Sequence, residues 1–146
     1  MAAQKARDLM TDSPAVCTLD TTAQDAARLM QDNDCGSLPV VESRDSMKLL
    51  GIVTDRDLAL RILGRGQTPG TPVREAMTRN VAAVKVDDDL HEVERLMSGQ
   101  QVRRIPVVDG QGRVVGIIAQ ADLARELGPQ ASKDLGRVIE KISEPR

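Results

Sequence analysis

The chain has 146 residues, with 20 Lys plus Arg against 22 Asp plus Glu and a formal charge of −2; neither this balance nor any run of like charges suggests a nucleic-acid tail or an acidic sink. Phe, Tyr and Trp are absent, so the core must be aliphatic, and the length suits one domain with a proper core better than two separate small ones. No apolar stretch approaches the ~20 residues of a membrane span, and the start MAAQKARDLMTDSP lacks the apolar centre of a secretory signal, so the expectation is a cytoplasmic protein.

A short helical piece is predicted over Ala6 to Met10 and an extended segment over Ala15 to Leu19. Ala23, Ala26, Ala27 and Met30 then fall at helical spacing, with Asp20 just upstream as an acidic residue at the helix start. Two strands follow, Ser37 to Val41 and Leu49 to Thr54, and a last helix begins near Asp55 with Asp57 in its first turn. Leu63 to Pro72 carries Gly64, Gly66, Pro69, Gly70 and Pro72, which is linker composition. Its GRGQTPG run lacks the Lys-Ser or Lys-Thr ending of a phosphate loop.

The same order then returns. Val73 to Met77 is a helical piece, Val81 to Val86 is extended, and Leu90, Val93 and Met97 mark a helix behind Asp87. Strands at Arg104 to Val108 and Arg113 to Ala119 flank the hairpin turn Asp109-Gly110-Gln111-Gly112. A helix starts at about Gln120, with Asp122 in its first turn. Pro39 recurs as Pro106, 67 residues on, and Gly51 as Gly116, 65 residues on. The first copy therefore holds two extra residues in the turn between its strands, where length differences belong. The organisation is a first motif at 5–64, a linker at 65–72, a second motif at 73–128 and a tail at 129–146. In that tail Leu135, Val138, Ile139 and Ile142 sit at helical intervals, which predicts an amphipathic helix with no counterpart after the first copy.

Catalytic chemistry is hard to assemble from these residues. His91, the only histidine, falls on the polar side of a predicted helix with no nucleophile paired to it. Asp87, Asp88 and Asp89 lack the spacing and central glycine of a calcium loop, and neither cysteine belongs to a CxxC. Cys17 and Cys35 read as buried or idle thiols first and as a redox pair second. Two corners differ from the rest, Gly51-Ile52-Val53-Thr54-Asp55-Arg56-Asp57 and Gly116-Ile117-Ile118-Ala119-Gln120-Ala121-Asp122, where a buried strand ends and a helix starts. A hydroxyl followed three residues later by a carboxylate, beside unpaired helix N–H groups, suits a ribose diol next to a phosphate. It suits an ordinary helix cap equally well, and the residues alone leave both readings open.

Both copies resemble cystathionine β-synthase (CBS) motifs, on the strength of GSLPVVES, LLGIVTDRDLA and RRIPVVDGQGRVVGIIAQADLA and of the shared Leu-Met ahead of them, over about residues 6 to 127. The resemblance implies an α/β (α+β) fold of two motifs related by a pseudo-two-fold axis, each a small sheet with packed helices, together a Bateman module. It also implies adenosine-containing ligands, such as AMP, ADP, ATP, S-adenosylmethionine or NAD, in two clefts between the repeats. The ribose pattern of the family falls on Thr54 and Asp57, its adenine wall on Ile52, and the opposite repeat's base contact on Val81, Ala82 and Ala83. Its phosphate contact falls on Arg103 and Arg104, whose forked donors suit phosphate oxygens; a solvated strand edge is the alternative for that pair.

The mirrored set, Ala15, Val16, Gly36, Ser37, Ile117 and Asp122, departs from the pattern. Ala119 replaces the hydroxyl residue, and Gly36 and Ser37 stand where the other set has two arginines. One competent site and one weak or empty site are expected, the second better suited to an uncharged adenosyl ligand. By resemblance the chain is a cytoplasmic sensor or regulatory subunit and not an enzyme. It needs no cofactor or metal, takes an adenine nucleotide as regulatory ligand, and acts on an effector protein. A homodimer is implied, to which the tail helix and the aliphatic helix faces also point. A ligand-free dimerisation module and a thiol-based redox sensor are the rival readings.

Overall fold

A computed structural model of the chain describes residues 4–100, 102–127 and 139–142. In chain order it forms α1 (Ala6–Leu9), β1 (Thr11–Asp12), β2 (Cys17–Thr18), α2 (Ala23–Asp32), β3 (Ser37–Val41), β4 (Leu49–Thr54) and α3 (Asp55–Asp57). α3 runs without a break into a π-helical turn, Leu58–Leu63. A 3-10 turn (Val73–Glu75), β5 (Thr78–Arg79), β6 (Val84–Lys85), α4 (Leu90–Gln100), β7 (Arg104–Val108), β8 (Val114–Ala119) and α5 (Gln120–Leu127) follow. Residues 139–142 are also helical; the rest of the predicted tail helix lies outside the described residues. The repeated order of helices and strands is as the sequence implies, and β1 and β5 are additions to it. Both are two residues long, polar and exposed, so they carry no hydrophobic period.

Two compact units result, cut differently from the sequence repeat. The first-copy unit takes Pro14–Val81 with Gln111–Val114, and the second-copy unit takes the residues up to Ser13 with Ala82–Gly110 and those from Val115 on. The lead segment of each copy thus belongs with the body of the other.

In the first-copy unit the sheet order is β2-β3-β4-β5. β2 lies parallel to β3, while β3–β4 and β4–β5 are antiparallel. Along β4, Gly51 and Val53 are buried, whereas Ile52 and Thr54 are only half-buried, the two-residue alternation of a strand with one face on a core. That core is aliphatic and sulfur-containing, built from Cys17, Ala26, Leu38, Val40, Val53 and Ile62 with Val73 and Met77 of the incoming lead segment. α2 is capped by Thr22, whose Oγ1 accepts from Asp25 N at 3.1 Å. Asp20, expected at this helix start, is instead ion-paired with Arg74 of the lead segment. The two extra residues of the first copy lie between β3 and β4, at 42–48, against 109–113 in the second copy. There Ser46 N donates to Ser43 Oγ at 2.9 Å and Met47 takes a left-handed φ of 55°.

The second-copy unit has the matching order β1-β8-β7-β6, with Thr11 opposite Ile117 and Asp12 opposite Gly116. Its core gathers Leu9, Val84, Val93, Met97, Ile105, Val107, Ile118 and Leu123, with Ile142 joining them. The aspartate run is fully engaged. Asp87 pairs with Arg7 and stands 3.7 Å from Lys5 Nζ, Asp88 Oδ2 accepts from Lys85 N at 2.8 Å, and Asp89 Oδ1 caps α4 by accepting from Glu92 N at 3.0 Å. Asp89, not Asp87, therefore starts that helix. His91 is exposed on α4, as a solvated helix residue should be.

The incoming segments need glycine beneath them. A Cβ on Gly51 would lie 2.3 Å from the Thr78 carbonyl oxygen, and one on Gly116 would lie 2.4 Å from Met10 Sδ. At Gly51 the obstacle is backbone held in a β ladder, whereas at Gly116 it is a methionine side chain, which rearranges more easily. Gly51→Ala should cost about 1–3 kcal/mol of stability, the usual range for overpacking, and Gly116→Ala should cost less. Urea-denaturation midpoints of the two variants test this order, and a larger loss at Gly116 would contradict it.

Candidate functional site

The corner at the end of β4 is built by a reciprocal pair of hydrogen bonds. Thr54 Oγ1 accepts from Asp57 N at 3.0 Å, and Asp57 Oδ2 accepts from Thr54 N at 2.9 Å. Each residue satisfies a donor that the helix start would otherwise leave unpaired. The cap reading of these residues is therefore correct as far as it goes, but it does not exhaust them. The Thr54 hydroxyl still has its own proton to donate. Asp57 Oδ1 stands 4.0 Å from Arg61 Nε, beyond hydrogen-bond reach, and the carboxylate side chain is 15% exposed. Ile52, two residues back on β4, shares the half-buried face with Thr54.

The equivalent corner at the end of β8 is built differently. Asp122 Oδ2 accepts from Ala119 N at 2.7 Å, but Ala119 has no hydroxyl to answer with. Asp122 Oδ1 accepts from Arg125 at 2.5 Å, so both carboxylate oxygens have protein partners. Asp122 and Ile117 are each 7% exposed and Val16 is 5% exposed. These members of the second predicted set are thus less accessible than Ile52, Thr54 and Asp57; Ala15 is half-buried.

Charge separates the two corners further. Beside the Thr54 corner, Gly36 O accepts from Asp55 N at 2.9 Å, and a Cβ at Gly36 would stand 3.0 Å from Asp55 Oδ2. Glycine there leaves room for that second carboxylate. Ser37, opposite Thr54 in the ladder, has a buried Oγ without a hydrogen-bond partner. Beside the Asp122 corner, Arg103 O accepts from Gln120 N at 2.8 Å, which fixes the backbone that carries Arg103, exposed, and Arg104, half-buried. The acidic character of one corner and the basic character of the other follow from this exchange of Gly36-Ser37-Asp55 for Arg103-Arg104-Gln120. Of the residues expected together at one ligand, Ile52, Thr54, Asp57 and Val81 belong to the first-copy unit, and Ala82, Ala83, Arg103 and Arg104 to the second-copy unit. Val81, Ala82 and Ala83 are all half-buried.

Residues 6–64 and 73–129 both match the CBS domain. The chain belongs to the CBS domain family. Among its relatives, the CBS domain-containing protein YhcV of Bacillus subtilis is 36% identical over 137 residues, covering 94% of each chain. The crystal structure of Hypoxic Response Protein I with two coordinated zinc ions is similar at a TM-score of 0.77 and 34% identity, covering 85% of this chain and 99% of that one. The structure of CBSX2 in complex with AMP is similar at a TM-score of 0.73 and 28% identity, covering 91% of this chain and 98% of that one. Among the described residues no group of three His, Cys, Asp or Glu side chains is placed to hold a metal ion. No helix among the described residues is long and apolar enough to cross a membrane.

Cys17 is fully buried in the core that Cys35 packs against, and loss of solvent pushes its thiol up to about 11. At neutral pH it is protonated and a poor nucleophile, which weakens the redox reading. An ordinary thiol deprotonates at 9.0. Between there and about 11 the unfolded chain releases a proton that the native chain keeps, so stability falls as pH rises through this window. Urea unfolding compared between mildly and strongly alkaline pH should show that loss in the native sequence and a smaller one in Cys17→Ala; equal slopes would contradict the assignment.

Proposed function

We propose that this CBS pair is a regulatory module, not a catalyst, that binds an adenine nucleotide, with AMP favoured. The Thr54–Asp57 box carries the reading: it holds a half-buried carboxylate in one rotamer with an oxygen left over, beside a hydroxyl that can still donate. Those are the groups a ribose diol needs, and fixing them in advance lowers the cost of binding. The AMP complex of the similar protein CBSX2 supports the ligand class. Ile52 serves as the adenine wall, with Val81, Ala82 and Ala83 as further base contacts. Without any aromatic side chain, the base is held by aliphatic groups and backbone rather than by ring stacking.

Arg103 and Arg104 are assigned to the phosphate. Their paired positive charge is why a nucleotide is favoured over the cationic S-adenosylmethionine. The set around Asp122 is the weaker one, since its carboxylate is already spent on Ala119 and Arg125. The bound state is read by an effector protein through a shift in population between conformations, and the assembly is a homodimer in the cytoplasm.

A ligand that binds only the native state must raise the melting temperature. AMP should therefore stabilise the protein, Asp57→Ala should abolish that shift, and Asp122→Ala should leave it nearly intact. Asp57→Asn, which keeps an acceptor for Thr54 N–H, separates loss of the cap from loss of the ligand charge. If no adenine nucleotide shifts the melt, the ligand-free dimerisation module is the better account; if Asp122→Ala is the damaging variant, the ranking of the two corners is reversed.

A further inference from the structure

The helices that follow the two corners differ by one residue. Gly64 follows Asp57 by seven positions, in DLALRILG, whereas Gly128 follows Asp122 by six, in DLARELG. The first copy thus carries one extra residue, which the matching of the two runs places at Leu60. The structure shows how it is absorbed. Gly64 N donates to Ala59 O at 2.8 Å, reaching five residues back. The result is the π-helical turn Leu58–Leu63, the form a helix takes when a residue is added without breaking it, and one that recurs at functional sites. Ile62 keeps its place in the core at 4% exposure, and Leu60 is pushed out to 54%.

The arginine in each helix is displaced accordingly. In the regular α5, Arg125 lies three residues after Asp122 and bonds Asp122 Oδ1 at 2.5 Å, as neighbours on a helix face do. In the first copy the extra residue moves Arg61 to four residues after Asp57, in a widened turn. Its Nε stays 4.0 Å from Asp57 Oδ1, while its Nη1 donates to Ala76 O at 3.0 Å. We infer that the inserted residue of the π turn is a specificity device: it draws Arg61 away from Asp57 and so keeps that carboxylate open to a ribose, whereas Arg125, without the insertion, closes Asp122. The inference rests on the nucleotide-binding reading and names what decides which of the two carboxylates takes the ligand. Arg61 and Arg125 act here as positioning residues, through the carboxylates.

Deleting Leu60 gives DLARILG, which restores the spacing of the second copy. Calorimetric titration with AMP should show one event for the unaltered chain and a loss of about tenfold or more in affinity for the deletion, the size expected when a charge-assisted contact is lost. Adding Arg61→Gln to the deletion should restore most of that affinity, a rescue that general damage to the helix would not permit. A folded deletion variant that binds AMP as the unaltered chain does, or a deletion that Arg61→Gln fails to rescue, would overturn the inference while leaving the function standing. Absence of AMP binding to the unaltered chain would overturn both. Where the deletion variant shows no cooperative melt, titration of adenosine into Arg125→Gln decides instead: a second binding event is expected, and a stoichiometry unchanged from the parent overturns the inference.

Discussion

The structure depends on the docking of each copy's lead segment onto the sheet built by the other. β1 pairs with β8 and β5 pairs with β4, Met10 and Met77 lie over Gly116 and Gly51, and Arg7 and Arg74 pair with Asp87 and Asp20. The same three kinds of contact occur in both units at equivalent positions of the repeat. Exposed ion pairs of this kind contribute little on their own. The weight is carried by Leu9 in one core and by Val73 and Met77 in the other, side chains of a class that each bring about 1.5–3 kcal/mol when removed from water. The strand that a lead segment covers, β4 or β8, is the strand whose end carries the Thr54–Asp57 or the Ala119–Asp122 corner, so docking also fixes where that corner stands.

At the corner itself, the hydrogen bonds that stabilise the helix start are the same ones that would prepare the proposed site. The Thr54–Asp57 box is worth about 1 kcal/mol to the helix start by analogy with other caps, and in providing that it also sets the carboxylate's rotamer. A ligand bound as proposed would meet a group that has already lost its freedom. The Asp122 corner shows the other outcome of the same geometry. There is no hydroxyl at position 119, and Arg125 holds the second oxygen, so both carboxylate oxygens are engaged within the protein.

Much of this was legible in the sequence, because the informative features repeat. The strands at Ser37 to Val41 and Leu49 to Thr54 were recognised from their return in the second copy, and the two-residue difference between the copies was correctly placed in the turn between β3 and β4. The helix starts at Ala23 and Leu90 were legible, but the capping residues were not. Asp20 and Asp87 stand upstream as acidic residues, yet the caps are Thr22 and Asp89, because arginines 54 and 80 residues away in sequence claim the two aspartates. β1 and β5 were not visible for the same reason, since a two-residue polar strand is defined by its partner and not by its own pattern. The π turn leaves no mark in the periodicity of one copy, and shows only when DLALRILG is set against DLARELG.

The exchange of lead segments also sets an order of events during synthesis. Almost all of the first-copy unit lies in one continuous stretch, Pro14–Val81, and can close as soon as that stretch leaves the ribosome. The second-copy unit cannot, since Thr11 must wait for Ile117, and contacts so distant in sequence form late because a long loop must first be closed. Throughout that interval the lead segment from Lys5 to Asp12 is an unclaimed strap with an apolar face. A neighbouring nascent chain offers it the same sheet edge, so at high local concentration the strap can dock on the wrong molecule, and the chain carries in its topology a route to a domain-swapped pair.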